Sequence, residues 1–160
     1  MGLADLSSIL WREREMLELL LFKLEEEQLV LAAGRSRWLA HATREVELVL
    51  DQIRHTEVLR AAEVAVVGAE LGIGDNPSLS QLSDAVETPW SELFRDHRKT
   101  FLALTAEISA LAETNRDLLT AGQRAARETM LAFAGSMETY GRRGETVATV
   151  PRTRLIDEAM

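Results

Sequence analysis

From Trp90 to Tyr140 one row of apolar or small residues recurs at spacings of three and four. It runs through Trp90, Phe94, His97, Phe101, Leu104, Ile108, Leu111, Asn115, Leu118, Gly122 and Ala125. It continues less cleanly through Thr129, Phe133, Met137 and Tyr140. That spacing is the seam of a helix. Thr88 offers a side-chain cap and Pro89 suits a first helical position. No proline follows until Pro151. An unbroken helix over 89–140 has about 52 residues and spans roughly 78 Å at ~1.5 Å per residue. A chain that spends so much of itself on one helix is committed to packing other helices along it.

The remainder fits that demand. The chain has 160 residues, one domain's worth, with 46% hydrophobic but only 5% aromatic residues. An Ala/Leu/Val-rich profile suits helices better than sheets, which favour aromatic and β-branched residues. A first helix is predicted over 3–33. Leu3, Leu6, Leu10, Leu17, Leu20, Leu24 and Leu31 form a heptad seam, with Glu13 and Glu27 as its polar gaps. A repeat of seven implies left-handed supercoiling of packed helices. Ile9, Met16, Leu19, Leu21 and Phe22 widen the stripe. Gly34 can end this helix in the left-handed conformation, and Ser36 can cap the next. So short a connection makes an antiparallel hairpin.

A second helix is predicted over 37–71, with Val46, Val49, Ile53, Val64 and Val67 on its main row and Arg60 as the charged exception. Breakers cluster from Gly72 to Pro77. Ser78 to Gln81 reads as a capping box opening a short helix to residue 86. The expected architecture is all-α: an antiparallel helical hairpin plus a longer third helix, a coiled-coil-like three-helix bundle. Residues 1–144 form one domain and 145–160 a flexible tail, since chain ends with few apolar anchors stay mobile.

A length mismatch follows. The hairpin helices cover about two-thirds of the third helix. The part after Asn115 overhangs, bends, or packs on something outside the chain, and Gly122 is its natural bending point. Ala121, Gly122, Ala125 and Ala126 are small enough for another backbone to approach. Leu118, Leu119, Met130, Leu131, Phe133 and Met137 are left without an internal partner. Such surface marks a binding site, or is buried as ordinary core by dimerisation or back-folding. Asn115 interrupts an apolar row. It either fixes helix register from the core or lies on the surface where the bundle ends.

Several function classes are excluded or disfavoured. There is no cysteine, so disulfides and thiolate chemistry are out. A net charge of −8 opposes nonspecific nucleic-acid binding. No apolar run approaches the ~20 residues of a membrane span, and the first residues do not read as a signal peptide or a myristoylation site. The histidines His41, His55 and His97 follow Trp38, Gln52 and Phe94 by three, so no Glu-x-x-His motif of a di-iron bundle exists. His97, on the seam, reads as a hydrogen-bonded core or bundle-edge histidine rather than a ligand. Gly72-x-Gly74 lacks the glycine and the strand of a phosphate loop. No metal site, cofactor or catalytic constellation is read here.

Three stretches carry a family resemblance. Leu10 to Glu15, followed by Leu17, Leu20, Leu21, Leu24, Glu25 and Glu27, is a Leu-rich helix studded with glutamates. Asn115-Arg116-Asp117-Leu118-Leu119 is an Asn-x-x-Leu-Leu stretch, and Thr139-Tyr140-Gly141 is a tyrosine-then-glycine helix end. In this order and at this length the chain resembles the FlgN family of flagellar export chaperones. The resemblance implies a cytoplasmic chaperone of the flagellar type III export system. Its partners would be the C-terminal helices of hook–filament junction proteins and the flagellar export gate. The client would lie on Leu118, Leu119, Ala126, Met130, Phe133 and Met137, with Tyr140 meeting the gate. The chain would be a monomer or weak homodimer, with no nucleic acid and no membrane insertion. The residues leave open a second reading, a self-associating coiled-coil adaptor without a secretion client.

Overall fold

The computed structural model describes the backbone from Gly2 to Arg142 and the side chains as far as Ser136. The tail expected over 145–160 lies outside the described residues. Four helices account for the regular structure: α1 (Gly2–Ala32), α2 (Ser36–Leu71), α3 (Leu79–Ala85) and α4 (Trp90–Arg142). Each begins and ends within two residues of its predicted span. The chain divides into two compact units, 1–119 and 120–160.

In the first unit α1 and α2 run antiparallel, as their cross-contacts show. Arg60 reaches Glu13, Thr43 reaches Glu27, and Lys23 reaches Glu45. The turn between them is a glycine-centred helix stop. Gly34 adopts φ 65°. Its N–H donates to Leu31 O at 3.1 Å and that of Arg35 to Val30 O at 3.1 Å, which meets two carbonyls that the helix end would orphan. Ser36 does not cap α2 as expected. The cap position falls on Arg35, without a side-chain bond, and Ser36 is the first helical residue. The stop motif consumes Arg35, so α2 starts with no residue to spare.

The start of α4 also differs. Pro89 precedes the helix rather than occupying its first turn, and the Thr88–Pro89 peptide is cis. Leu93 N–H donates to Pro89 O and Ser91 N–H to Glu87 O, so backbone carbonyls meet these early donors. The capping box of α3 forms as expected. Ser78 Oγ accepts from Gln81 N–H at 3.2 Å, and Gln81 Oε1 accepts from Ser78 N–H at 2.8 Å.

Two apolar clusters fill this unit. One gathers Leu6 and Leu10 of α1, Val64 and Val67 of α2, Leu82 of α3 and Phe94 of α4. The other gathers Leu20 and Leu24 with Val46, Val49 and Ile53, bordered by Ile108 and Leu111 of α4. Each such side chain, fully buried, contributes about 1.5–3 kcal/mol relative to exposure. The Glu13 gap of the heptad seam lies between the clusters. Its carboxylate is buried and accepts from Arg60 Nη1 at 3.0 Å. Burial raises the Glu13 pKa above the usual carboxylate value, Arg60 opposes that rise, and Glu57 adds to it. Leu19 and Phe22 do not widen the buried stripe of α1. They are exposed, and the Lys23 ammonium lies 5.5 Å from the Phe22 ring.

α4 runs parallel to α1 through this unit. His97 meets Trp11 edge-on at 4.7 Å, Arg14 pairs with Asp96 at 3.0 Å, and Asn115 bonds to α1 near Leu24. His97 is a core histidine, as expected, but it packs rather than bonds. It is fully buried between Trp11 and Phe101, and among the described residues neither ring nitrogen has a hydrogen-bond partner. In the second unit the described residues are the helical stretch 120–142 that completes α4.

Candidate functional site

The face that α4 buries can be followed residue by residue. At ~100° per residue, Phe94, His97, Leu104, Ile108 and Asn115 lie within a narrow sector. Phe94, His97, Leu104 and Asn115 are buried, and Ile108 is half-buried against the second cluster. Asn115 is the last buried residue of this face among those described. Its Nδ2 donates to Leu24 O at 2.9 Å and to Glu27 Oε1 at 3.0 Å. Glu27 Oε2 accepts from Thr43 Oγ1 at 3.1 Å. One buried amide thus ties α4 to α1, and through Glu27 to α2. That places Asn115 in the core rather than on the surface where the bundle ends, and any slip of α4 would leave this donor unpaired. It also explains the second polar gap at Glu27.

Beyond it the same sector continues as Leu119, Gly122, Ala126, Met130 and Phe133. Every residue from Leu119 to Ser136 is exposed. Leu119 is 41%, Met130 43% and Phe133 52% exposed. Helix α4 runs unbroken through Gly122, and a Cβ there would meet nothing within 4 Å. Thr129 Oγ1 donates back to Ala125 O at 2.9 Å, which satisfies a hydroxyl on the helix itself.

The sequence-predicted residues therefore divide. Leu119, Ala126, Met130 and Phe133 share one row. Leu118 lies about a quarter-turn away, at ~100° per residue, and is half-buried. Met137 and Tyr140 fall on helical backbone, but their side chains lie outside the described residues. Leu131, also expected to lack a partner, is 65% exposed on the opposite side of the helix. The row has a profile that a residue list conceals. Gly122 and Ala126 make a low notch, and Met130 and Phe133 a ridge beside it.

Charge is placed unevenly around this row. Arg127 stands on one border, with Gln123 one turn before it on the same side. At ~100° per residue Glu128 falls on the far side of the helix from the row. Sequence reading missed Arg127; its helical angle relative to the row was the available signal. Among the described residues no His, Cys, Asp or Glu cluster is arranged to hold a metal ion, and no helix is long and apolar enough to cross a membrane. The row offers no strained turn or enclosed pocket, so what it can do is bind another apolar surface.

Comparison with known proteins bears on what that surface serves. A family model described as FlgN protein matches residues 1–148. No curated protein and no solved structure matches the chain. The match takes in all four helices and the whole exposed row, and on it the chain belongs to the FlgN family of flagellar export chaperones.

Proposed function

We propose that this chain is a cytoplasmic chaperone that holds the C-terminal helical segments of hook–filament junction proteins and delivers them to the flagellar export gate. It works by binding, without catalysis or cofactor. The client lies as an amphipathic helix along Leu119, Ala126, Met130 and Phe133, bordered by Leu118 and continued by Met137, and Tyr140 contacts the gate. One observation carries this reading. The face of α4 that is core up to Asn115 remains apolar but exposed from Leu119 to Phe133. Water-exposed Leu, Met and Phe on one helical row mark a surface that a partner covers.

The test uses Phe133→Asp. The variant loses co-purification with a junction-protein C-terminal segment while its helical content stays unchanged. Retained binding would sink the assignment of the site. Hydrogen exchange separates this reading from the self-associating adaptor. Amides after Asn115 exchange fast in the free protein and become protected on adding the segment. Protection already present in the free protein, rising with its concentration, gives that surface to a homodimer instead.

A further inference from the structure

We infer that the helix received by this row carries a carboxylate along one border and a bulky apolar side chain at its centre. The inference rests on the binding reading above and specifies the chemistry of the occupant. Shape gives the first half. Gly122 and Ala126 leave a notch in which a Cβ at position 122 would touch nothing, while Met130 and Phe133 rise beside it, both exposed. A helix laid on this row fills the notch only with a large residue facing it, since an unfilled gap forfeits dispersion contacts on both sides.

Charge gives the second half. Arg127 stands on the row's border, about a quarter-turn from Ala126 at ~100° per residue. Glu128 lies a further ~100° round, on the side away from the row. An occupant helix therefore meets a guanidinium, which takes a carboxylate in bidentate fashion. The rest of the molecule sharpens the choice. Residues 1–119 hold 21 acidic and 12 basic residues, a net −9, whereas 120–160 hold five acidic and six basic, a net +1. A helix bordered by carboxylates is repelled by the first unit's charge and accepted at Arg127. A helix bordered by lysines is drawn to the acidic surface instead. Repulsion from the wrong surface is as much a source of specificity as attraction to the right one.

The test compares two designed amphipathic helical peptides against the full chain. Both carry the same leucine row with a central tryptophan; one is bordered by glutamates, the other by lysines. The affinity counted for each is the part removed by Phe133→Ala, which deletes the ring without adding a charge. The glutamate peptide is expected to bind about tenfold tighter at this site, the scale of one charge-assisted contact. Arg127→Glu reverses the order, and Ala126→Leu, which fills the notch, weakens the glutamate peptide by a similar factor while helical content is kept. Equal affinity of the two peptides, or indifference to both variants, overturns the inference and leaves the binding row standing. If Phe133→Ala removes no binding of either peptide, the row itself fails and the inference with it.

Discussion

Phe94 and Phe133 are the same residue type on nearly the same face of one helix, yet Phe94 is fully buried and Phe133 is 52% exposed. The spacing of apolar residues does not distinguish them. What differs is what lies across from each. Phe94 sits against Leu6, Leu10, Val67 and Leu82, contributed by three other helices, whereas Ala126, Met130 and Phe133 are exposed to solvent. Periodicity selects the face of a helix that will be covered. Whether a neighbour covers it is settled by the length and placement of the other helices.

The largest expected effect breaks this comparison most directly. Phe94→Ala should cost about 3–5 kcal/mol of unfolding free energy, the range for emptying a buried aromatic site. Phe133→Ala should stay within about 0.5 kcal/mol, as for an exposed position. Denaturant melts of the two variants measure both. Comparable losses would mean that the distal row is core after all.

Asn115 marks where the two regimes meet. Asn115→Leu removes the donor to Leu24 O and Glu27 Oε1 and leaves a half-buried carboxylate with one partner fewer. The expected loss is about 1–3 kcal/mol, the cost of leaving such a group short of its bond. A leucine there that raises stability would instead show that this amide is kept for register at the expense of stability, an outcome known for polar residues in coiled coils.

A glycine pair sharpens the contrast with one chemical change. A Cβ on Gly68 would collide with the carbonyl oxygen of Gly74 and crowd Pro77 Cδ at 3.0 Å. Gly68→Ala should therefore destabilise, by about 1–3 kcal/mol as for overpacking. Gly122→Ala meets open space and should firm its helix by up to about 1 kcal/mol. Global melts read the first, and amide exchange around residue 122 reads the second. The same sign for both would contradict the placement of one glycine or the other.

These residues also show how much was legible beforehand. Helix spans, the Gly34 stop and the Ser78 box could be read because each depends on near neighbours in sequence. Glu13 and Asn115 stood out as breaks in apolar rows, but their partners Arg60 and Glu27 lie 47 and 88 positions away, and only packing brings them together. Gly68 gave no signal, because its constraint comes from the loop that folds back over α2. Ser36 and Pro89 each fit a local rule, and at both ends backbone hydrogen bonds took the role reserved for them. For the distal row, apolarity was legible through Phe133. The notch and the Arg127 border need helical angles and exposure, which a list of residues does not supply.

The smallest expected effect concerns proton uptake, and it belongs to the buried regime alone. Burial against Trp11 and Phe101 holds the His97 pKa below 6.5, Arg14 pushes it further down, and Asp96 partly offsets this. Arg14 and Asp96 are the charged groups that act on it. Once pH falls through the unfolded value near 6.5, the unfolded chain binds a proton that the folded chain refuses. Stability therefore declines from about pH 7 downward and levels off once His97 protonates in the folded state. Glu13 has the opposite sign in a lower window. Its raised pKa makes the folded state bind a proton before the unfolded one, so its burial penalty eases as pH falls toward 4.5. Denaturant midpoints between pH 7.5 and 5.5, a range chosen around the ordinary histidine pKa of ~6.5, should fall for the native sequence and flatten for His97→Leu. Phe133→Asp, which changes only the exposed row, should keep the native slope. A slope that survives His97→Leu would assign the acid sensitivity to other groups and remove His97 from the difference between the two regions.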